Sequence, residues 1–452
     1  LAKQSSVYIC QACGYASAGY LGKCPDCGTW NSFVETVRES EVRHKQTAGS
    51  KLTEAHLLSE IDTTPIQRLD NAGEELDRVL GGGFVPGSTV LLAGDPGIGK
   101  STLALQAVHG LSQRQNTVIY ITSEETVAQI RERAGRLNLS LGKILATATT
   151  DLDDILNLVV HHKPSLVVVD SIQTIAALYL EQPPGSVSQV KECTLRLSRA
   201  ARESGCAIVI IGHVTKEGTV AGPKSMEHMV DAVLYLEGDR YHRMRVLRSV
   251  KNRYGSTNEV GMLSMSEGGL STVSNPSELF LTERRLHVPG SAVAAVLEGT
   301  RSFLIEIQAL TCASTLTYPR RTANGLDPAR LALILAVLER HVGIITSNAD
   351  VYLNVVGGFA IEEPAADLAV CLAIASSLRG KAIHPDLVAI GEVGLGGELR
   401  GVSGIRERVR EAERIGFGKV LLPWRDAETI KAGTIQKIGA GNLAEALEAA
   451  WE

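Results

Sequence analysis

"STVLLAGDPGIGKSTLALQAV", residues 88–108, runs from an apolar segment through a glycine-rich turn into a helical pattern. The turn Gly94, Asp95, Pro96, Gly97, Ile98, Gly99, Lys100, Ser101 fits G-x4-G-K-[ST], with Thr102 behind it. Backbone N–H groups of such a turn cradle phosphates, and the helix that starts there adds its free N–H groups and dipole. The spacing lets Lys100 reach the β and γ phosphates and offers the Ser101 hydroxyl to Mg2+. The stretch predicts a nucleoside triphosphate site where a strand meets a helix.

Segments on both sides extend this reading. "PSLVVVDSI" (164–172) is a strand ending in Asp170, and an acid at the carboxyl end of a buried parallel strand lies beside the nucleotide, where it helps hold Mg2+. "NTVIYITSEET" (116–126) is a strand leading to Glu124 and Glu125. One of these acids can polarise an attacking water, or both can simply favour the start of the next helix. "GCAIVIIGHV" (205–214) ends near His213, placed to contact the γ-phosphate. "TKEGTVAGPKSMEHM" (215–229) and "LEQPPGSVSQV" (180–190) read as mobile loops and candidates for nucleic-acid contact. Strands alternating with helices predict a mostly parallel, doubly wound α/β domain over 61–275, closed by an antiparallel hairpin, "DAVLYLEGDRYHRMRVLRSVKNRYG" (231–255). Asp239 to Gly255 carries six Lys or Arg against one acid, in a chain of net charge -5. Any nucleic-acid binding therefore rests on local patches, not on bulk charge. Alternation puts Arg243, Arg245 and Lys251 among the exposed positions of this hairpin.

Before this domain, "CQACGYASAGYLGKCPDCGTW" (10–30) reads C-x2-C-x10-C-x2-C. Two such knuckles place Cys10, Cys13, Cys24 and Cys27 as four thiolate ligands of one tetrahedral Zn2+ with no open position, a structural site. Gly14 and Gly28 follow the second cysteine of each knuckle, where the chain turns back. A module of residues 1–35 needs such a staple to fold, and 36–60 reads as a polar linker. The other cysteines, Cys193, Cys206, Cys312 and Cys371, sit in apolar contexts and read as buried thiols, a usage that fits a reducing cytoplasm. No run of 18 apolar residues suggests a membrane span, and "LAKQSSVYIC" lacks the apolar core of a signal peptide.

Residues 276–452 form a third, α+β module. "NGLDPARLALILAVLERHVGI" (324–344) is an amphipathic helix with Asp327 as N-cap and Pro328 in its first turn. "VYLNVVGG", "VAIGEVGLGGELRGV" and "KVLLP" read as strands, and "AADLAVCLAIASSL" and "SGIRERVREAERIG" as helices.

The phosphate-binding turn, "YITSEE", "VVVDSIQT", "GHVTKEG" and "KNRYG" behind a four-cysteine module together resemble the RadA (Sms) family of bacterial DNA repair proteins, over essentially the whole chain. That family's pentapeptide ends Phe-Gly, and Tyr254 keeps the ring. The resemblance implies a core like that of the RecA recombinase, with ATP, Mg2+ and Zn2+ as cofactors. It also implies Glu124 as catalytic glutamate, His213 as switch residue, and Lys251 and Arg253 reaching a neighbour's ATP across a subunit interface. It implies a homo-hexameric ring on single-stranded and branched DNA, the recombinase RecA as partner, and branch migration as the task. The third module resembles the proteolytic domain of Lon, but Ala365 stands at the serine and Arg406 at the lysine of that family's catalytic pair. Alanine is no nucleophile and arginine no base near neutral pH, so the domain reads as an inactive scaffold. Arg406, Arg408, Arg410, Arg414 and Lys419 offer it a DNA-contacting face or an ordinary solvated helix. The alternatives to a DNA-dependent ATPase are a signalling or scaffold ATPase without nucleic acid and an ATP-dependent protease.

Overall fold

The computed structural model describes residues 6–10, 16–17, 19–25, 27–30, 32–37, 57, 67–114, 116–213, 226–238, 243–430 and 433–451. The chain divides into two compact units, Leu1–Pro65 and Ile66–Glu452. In the first, β1 (Ser6–Cys10) pairs antiparallel with β2 (Ala16–Ser17) on one side and β3 (Phe33–Val37) on the other. Phe33 and Cys24 form its small buried core. β3 pairs with β1 as far as Val37.

The second unit begins with α1 (Glu74–Leu80), β4 (Thr89–Gly94), α2 (Lys100–Ser112), β5 (Val118–Thr122), α3 (Val127–Arg136), β6 (Ile144–Ala148) and α4 (Leu152–His162). It continues with β7 (Leu166–Asp170), α5 (Val187–Ser204), β8 (Ala207–His213), β9 (Ala232–Glu237), β10 (Met244–Asn252), β11 (Val260–Ser266) and β12 (Gly269–Thr272). These strands form one sheet in the order β12-β11-β10-β9-β4-β8-β7-β5-β6. The pairs from β9 to β6 are parallel, and β10, β11 and β12 continue the edge antiparallel. Strands β4, β5 and β7 are buried at every position. That is why they read as unbroken apolar runs: helices cover both faces of a parallel sheet. α1, α2 and α3 pack on one face, α4 and α5 on the other. The doubly wound core is as the sequence predicts, and the antiparallel extension goes two strands beyond the expected hairpin.

The chain then forms α6 (Pro276–Leu281), β13 (Ser291–Glu298), β14 (Arg301–Ala313), β15 (Arg321–Asn324), α7 (Pro328–Val342), β16 (Ala349–Val355) and α8 (Asp367–Arg379). It ends with β17 (Leu387–Ala389), β18 (Glu392–Val393), β19 (Leu399–Arg400), α9 (Ile405–Ile415), β20 (Lys419–Pro423), α10 (Trp424–Thr429), β21 (Gln436–Ala440) and α11 (Leu443–Ala450). A seven-stranded mixed sheet, β15-β16-β14-β13-β17-β20-β21, organises this region. As expected, Asp327 caps α7, accepting from the Ala329 N–H at 3.0 Å.

The boundary at residue 275 is a boundary of chain, not of packing. Met244, Val246, Val260 and Met262 of the edge strands, with Val273 just after β12, share one apolar core with Phe280, Phe303 and Phe359 of the C-terminal region. Ion pairs cross the same seam. Arg301 reaches Glu75 at 3.1 Å, and Glu75, whose side chain is fully buried, also accepts from the Met262 N–H at 3.0 Å. Arg248 pairs with Glu298.

Four expectations need correction. Arg245 is buried, not exposed, because it faces the glycine-rich turn between β4 and α2. Cys312 is exposed near the end of β14, whereas Cys193, Cys206 and Cys371 are buried. The 180–190 segment is tied down rather than loose: the Gln189 side chain bonds backbone groups of Ala177, Leu180 and Gln182. Arg408 is fully buried, its guanidinium held by Glu363, Ala295 O and Ser403 O, so it is lost to any basic face on α9. Most of the 215–229 loop lies outside the described residues. Among the described residues no helix is long and apolar enough to cross a membrane.

Candidate functional site

The carboxyl ends of the central strands meet at the turn between β4 and α2. Register pairs Gly94 with His213 and Thr122 with Asp170. The pleat thus delivers residues from four different strands to one edge, the position where open α/β sheets bind ligands. Gly94, Gly97 and Gly99 have positive φ of 152°, 79° and 116°. At Gly94 the need for glycine is steric as well: a Cβ there would fall 2.4 Å from Leu236 O on the neighbouring strand.

Lys100 is 3% exposed, and its Nζ donates to Gly94 O at 2.8 Å and Asp95 O at 2.9 Å. The ammonium thus lies folded over the cradle that its own turn forms. Burial pulls its pKa down to about 8, while Asp170, Asp95 and Glu124 pull it back up. Asp170, 9% exposed, accepts from the Tyr120 hydroxyl at 2.5 Å on Oδ2. Burial, and then the Asp170 charge, push the Tyr120 phenol well above its ordinary value, so it stays a donor. One Asp170 oxygen is thereby engaged by the phenol.

The two adjacent glutamates separate by environment. Glu125 pairs with Arg133 of α3, and its N–H donates to Thr122 Oγ1, so it belongs to the turn's own framework. Glu124 accepts from Ser171 Oγ at 2.5 Å and lies 3.6 Å from His213 Nε2. Burial, then the Lys100 charge, lower the His213 pKa below 6.5, so a neutral ring faces Glu124 near neutral pH. Lys100, Asp170, Glu124 and His213 form one cluster, and the sequence missed its supports, Tyr120 and Ser171. Tyr120 was hidden as one apolar letter of a buried strand, although a buried phenol needs a partner.

Lys251 and Arg253 are not brought to this cluster. Lys251 pairs with Val233, which pairs with Leu91, and the Arg253 N–H donates to Asp231 O beside Thr89. Thr89 stands five residues before Gly94 on β4, so Arg253 lies ~16 Å along the strand from the glycine-rich turn. Within the chain Lys251 Nζ bonds Glu227 O and Val230 O, and Arg253 meets Asp231 at 3.0 Å.

In the first unit the second cysteine knuckle has the tight backbone that a metal pair needs. The Gly28 N–H donates to Cys24 O and the Cys24 N–H to Thr29 O, both at 2.9 Å, with Gly28 at φ 73°. Cys10 ends β1, and its side chain and Cys13 lie outside the described residues. The donor set suits zinc: four soft thiolates at knuckle spacing.

In the C-terminal region Ala365 is 1% exposed in the turn before α8, and Arg406 is exposed on α9. The buried Arg408 is bound to Glu363, which precedes that turn. A groove of about 660 Å³ beside the turn is lined by Asp327, Arg330, Glu362, Glu363 and Glu392. It offers carboxylates but neither serine nor lysine.

Sequence comparison agrees with this three-part layout. A Rubredoxin metal binding domain model matches residues 8–35, an AAA domain model 54–219, and a Lon protease (S16) C-terminal proteolytic domain model 340–438. DNA repair protein RadA of Bacillus subtilis is 47% identical over 452 residues, 99% of each chain. The chain belongs to the RadA family of DNA repair proteins. RadA of Halalkalibacterium halodurans is 46% identical over 453 residues, 99% of each chain, and RadA of Pseudomonas aeruginosa 46% over 454 residues, covering both chains fully. Membership in the RadA family carries the zinc-ribbon module, the RecA-like ATPase core and the Lon-like domain together.

Proposed function

We propose that this chain is a DNA-dependent ATPase that promotes branch migration of strand-exchange products, moving on single-stranded DNA as a homo-hexamer. The observation that carries the reading is the division of labour along β4. The nucleotide cluster sits at one end of the strand, and Lys251 and Arg253 lie ~10 Å and ~16 Å from it toward the other. Two cations that cannot reach their own nucleotide are available to a neighbour's.

In this reading the 94–102 turn binds the ATP phosphates, with Lys100 over the β and γ groups. Ser101 and Asp170 hold Mg2+, which neutralises charge on the transferring phosphate. Glu124 orients the attacking water, Ser171 and His213 hold Glu124 in place, and His213 responds to the γ-phosphate. Lys251 and Arg253 complete the adjacent subunit's site and couple its hydrolysis to movement of DNA held by salt-sensitive backbone contacts. Cys10, Cys13, Cys24 and Cys27 bind Zn2+ as a structural staple. The Lon-like domain has no peptidase role and supports ring assembly. RecA is the partner suggested by the work these proteins share.

The test compares wild type, Lys100→Ala and Lys251→Ala on a three-strand recombination intermediate. Wild type should extend the heteroduplex with ATP. Lys100→Ala should lose hydrolysis and migration, and Lys251→Ala should lose migration while still binding ATP. Migration by Lys251→Ala at the wild-type rate would refute the proposed coupling.

A further inference from the structure

Arg245 belongs to no motif and lies in a strand whose alternation marks it as surface. It is instead 5% exposed, and its Nε donates to Ile98 O at 3.1 Å while Nη1 donates to Met244 O at 2.7 Å. A guanidinium is costly to bury and is retained where its donors are used. Here one of them is used inside the phosphate-binding turn.

The surroundings are shaped for this contact. Gly238, at φ 149°, has no room for a side chain: a Cβ would fall 2.7 Å from Met244 O and 2.9 Å from Arg245 Cδ. Met244 and Val246, on either side of Arg245, sit in the apolar core shared with the C-terminal region. Strand alternation then turns Arg245 to the opposite face, toward the turn.

Ile98 O belongs to the peptide that carries the Gly99 N–H. In a planar trans peptide the carbonyl and the N–H point in opposite directions. Holding Ile98 O against β10 therefore aims the Gly99 N–H away from β10, and the nearby positive charge polarises that peptide and strengthens its donor. We infer that Arg245 is a positioning residue for phosphate binding, which presets the Gly99 N–H toward the nucleotide before it arrives. The inference rests on the reading of residues 94–102 as the nucleotide site. It makes the C-terminal region, through β10, part of what holds that turn in its binding posture.

The experiment uses the full-length chain as wild type, Arg245→Gln and Arg245→Lys, with Arg245→Met as the donor-free replacement should the glutamine variant not fold. Binding of Mg·ADP is measured by calorimetry, and hydrogen exchange of the nucleotide-free proteins by mass spectrometry. The donor-poor variant should bind ADP about tenfold more weakly, the scale of one charge-assisted hydrogen bond. Lysine, which can still reach the carbonyl, should recover most of that loss. Exchange should rise in the peptide covering 95–101 while β9 and β10 stay protected, and KM for ATP should rise more than kcat falls. Wild-type ADP affinity in the folded glutamine or methionine variant overturns the inference. So does an equal loss in the lysine variant with exchange rising throughout β10, which marks a core support only. A wild-type protein that does not bind ADP overturns the nucleotide-site reading itself.

Discussion

Nucleotide affinity should fall steeply between pH 7 and 9, because of Lys100. In the nucleotide-free protein burial lowers its pKa from 10.5 to about 8, against the raising pull of Asp170, Asp95 and Glu124. Only the ammonium form neutralises phosphate, and bound phosphates hold its proton. The apparent Kd then scales as 1 + 10^(pH − 8), rising from ~1.1 to ~11 across that interval, about tenfold. A lysine at its ordinary value would change Kd by only ~3% over the same range. Stability has the opposite trend. The folded-state pKa lies below the unfolded one, so the cost of burying the charge is fully present below about pH 8 and is relieved as pH rises toward 10.5. The empty protein thus gains from Lys100 deprotonation over the window in which it loses affinity, which separates the effect from general alkaline unfolding. His213 is lowered below 6.5 by burial and the Lys100 charge, so its own titration lies mainly below this window. Calorimetry of Mg·ADP at fixed ionic strength measures the profile, and Lys100→Arg, which keeps its charge, should flatten whatever binding it retains. A wild-type Kd unchanged from pH 7 to 9 would show that the buried ammonium does not meet phosphate.

Cys24→Ser should release zinc, read as metal per chain by mass spectrometry; one bound zinc in the variant would mean the knuckles do not share a metal. Ala365→Ser should give no peptidase activity, since Arg406 is exposed and cannot act as a base; ATP-stimulated cleavage of an unfolded substrate would contradict this. Arg408→Met should destabilise the C-terminal region by roughly 3 kcal/mol, because Glu363 and the Ala295 and Ser403 carbonyls lose their donor. Denaturant unfolding checks it, and a midpoint equal to wild type would mean the pair contributes nothing.

What the sequence made legible was whatever local chemistry dictates. The Gly94–Thr102 turn, the buried strands β4, β5 and β7, the cap at Asp327 and the cysteine knuckles each announce themselves through spacing or composition. Long-range pairings stayed hidden. Alternation gives the face of a strand but not what covers it, so Arg245 read as surface although it packs against the glycine-rich turn at Ile98. The helical period of α9 left Arg408 among its exposed basic neighbours, because its partner Glu363 lies 45 residues away. The two glutamates after β5 could not be ranked locally; Arg133 claims Glu125, and Ser171, which claims Glu124, comes from a different strand end. The seam between ATPase core and Lon-like domain was invisible for the same reason: Glu75 and Arg301 are 226 residues apart.

The central claim is that ATP turnover in this chain is coupled to DNA, and the rate of ATP hydrolysis with and without single-stranded DNA at low salt tests it most directly. The rate should rise on adding DNA, fall back as salt displaces the strand, and disappear in Lys100→Ala. A wild-type rate that is the same with and without single-stranded or branched DNA at low salt would contradict it.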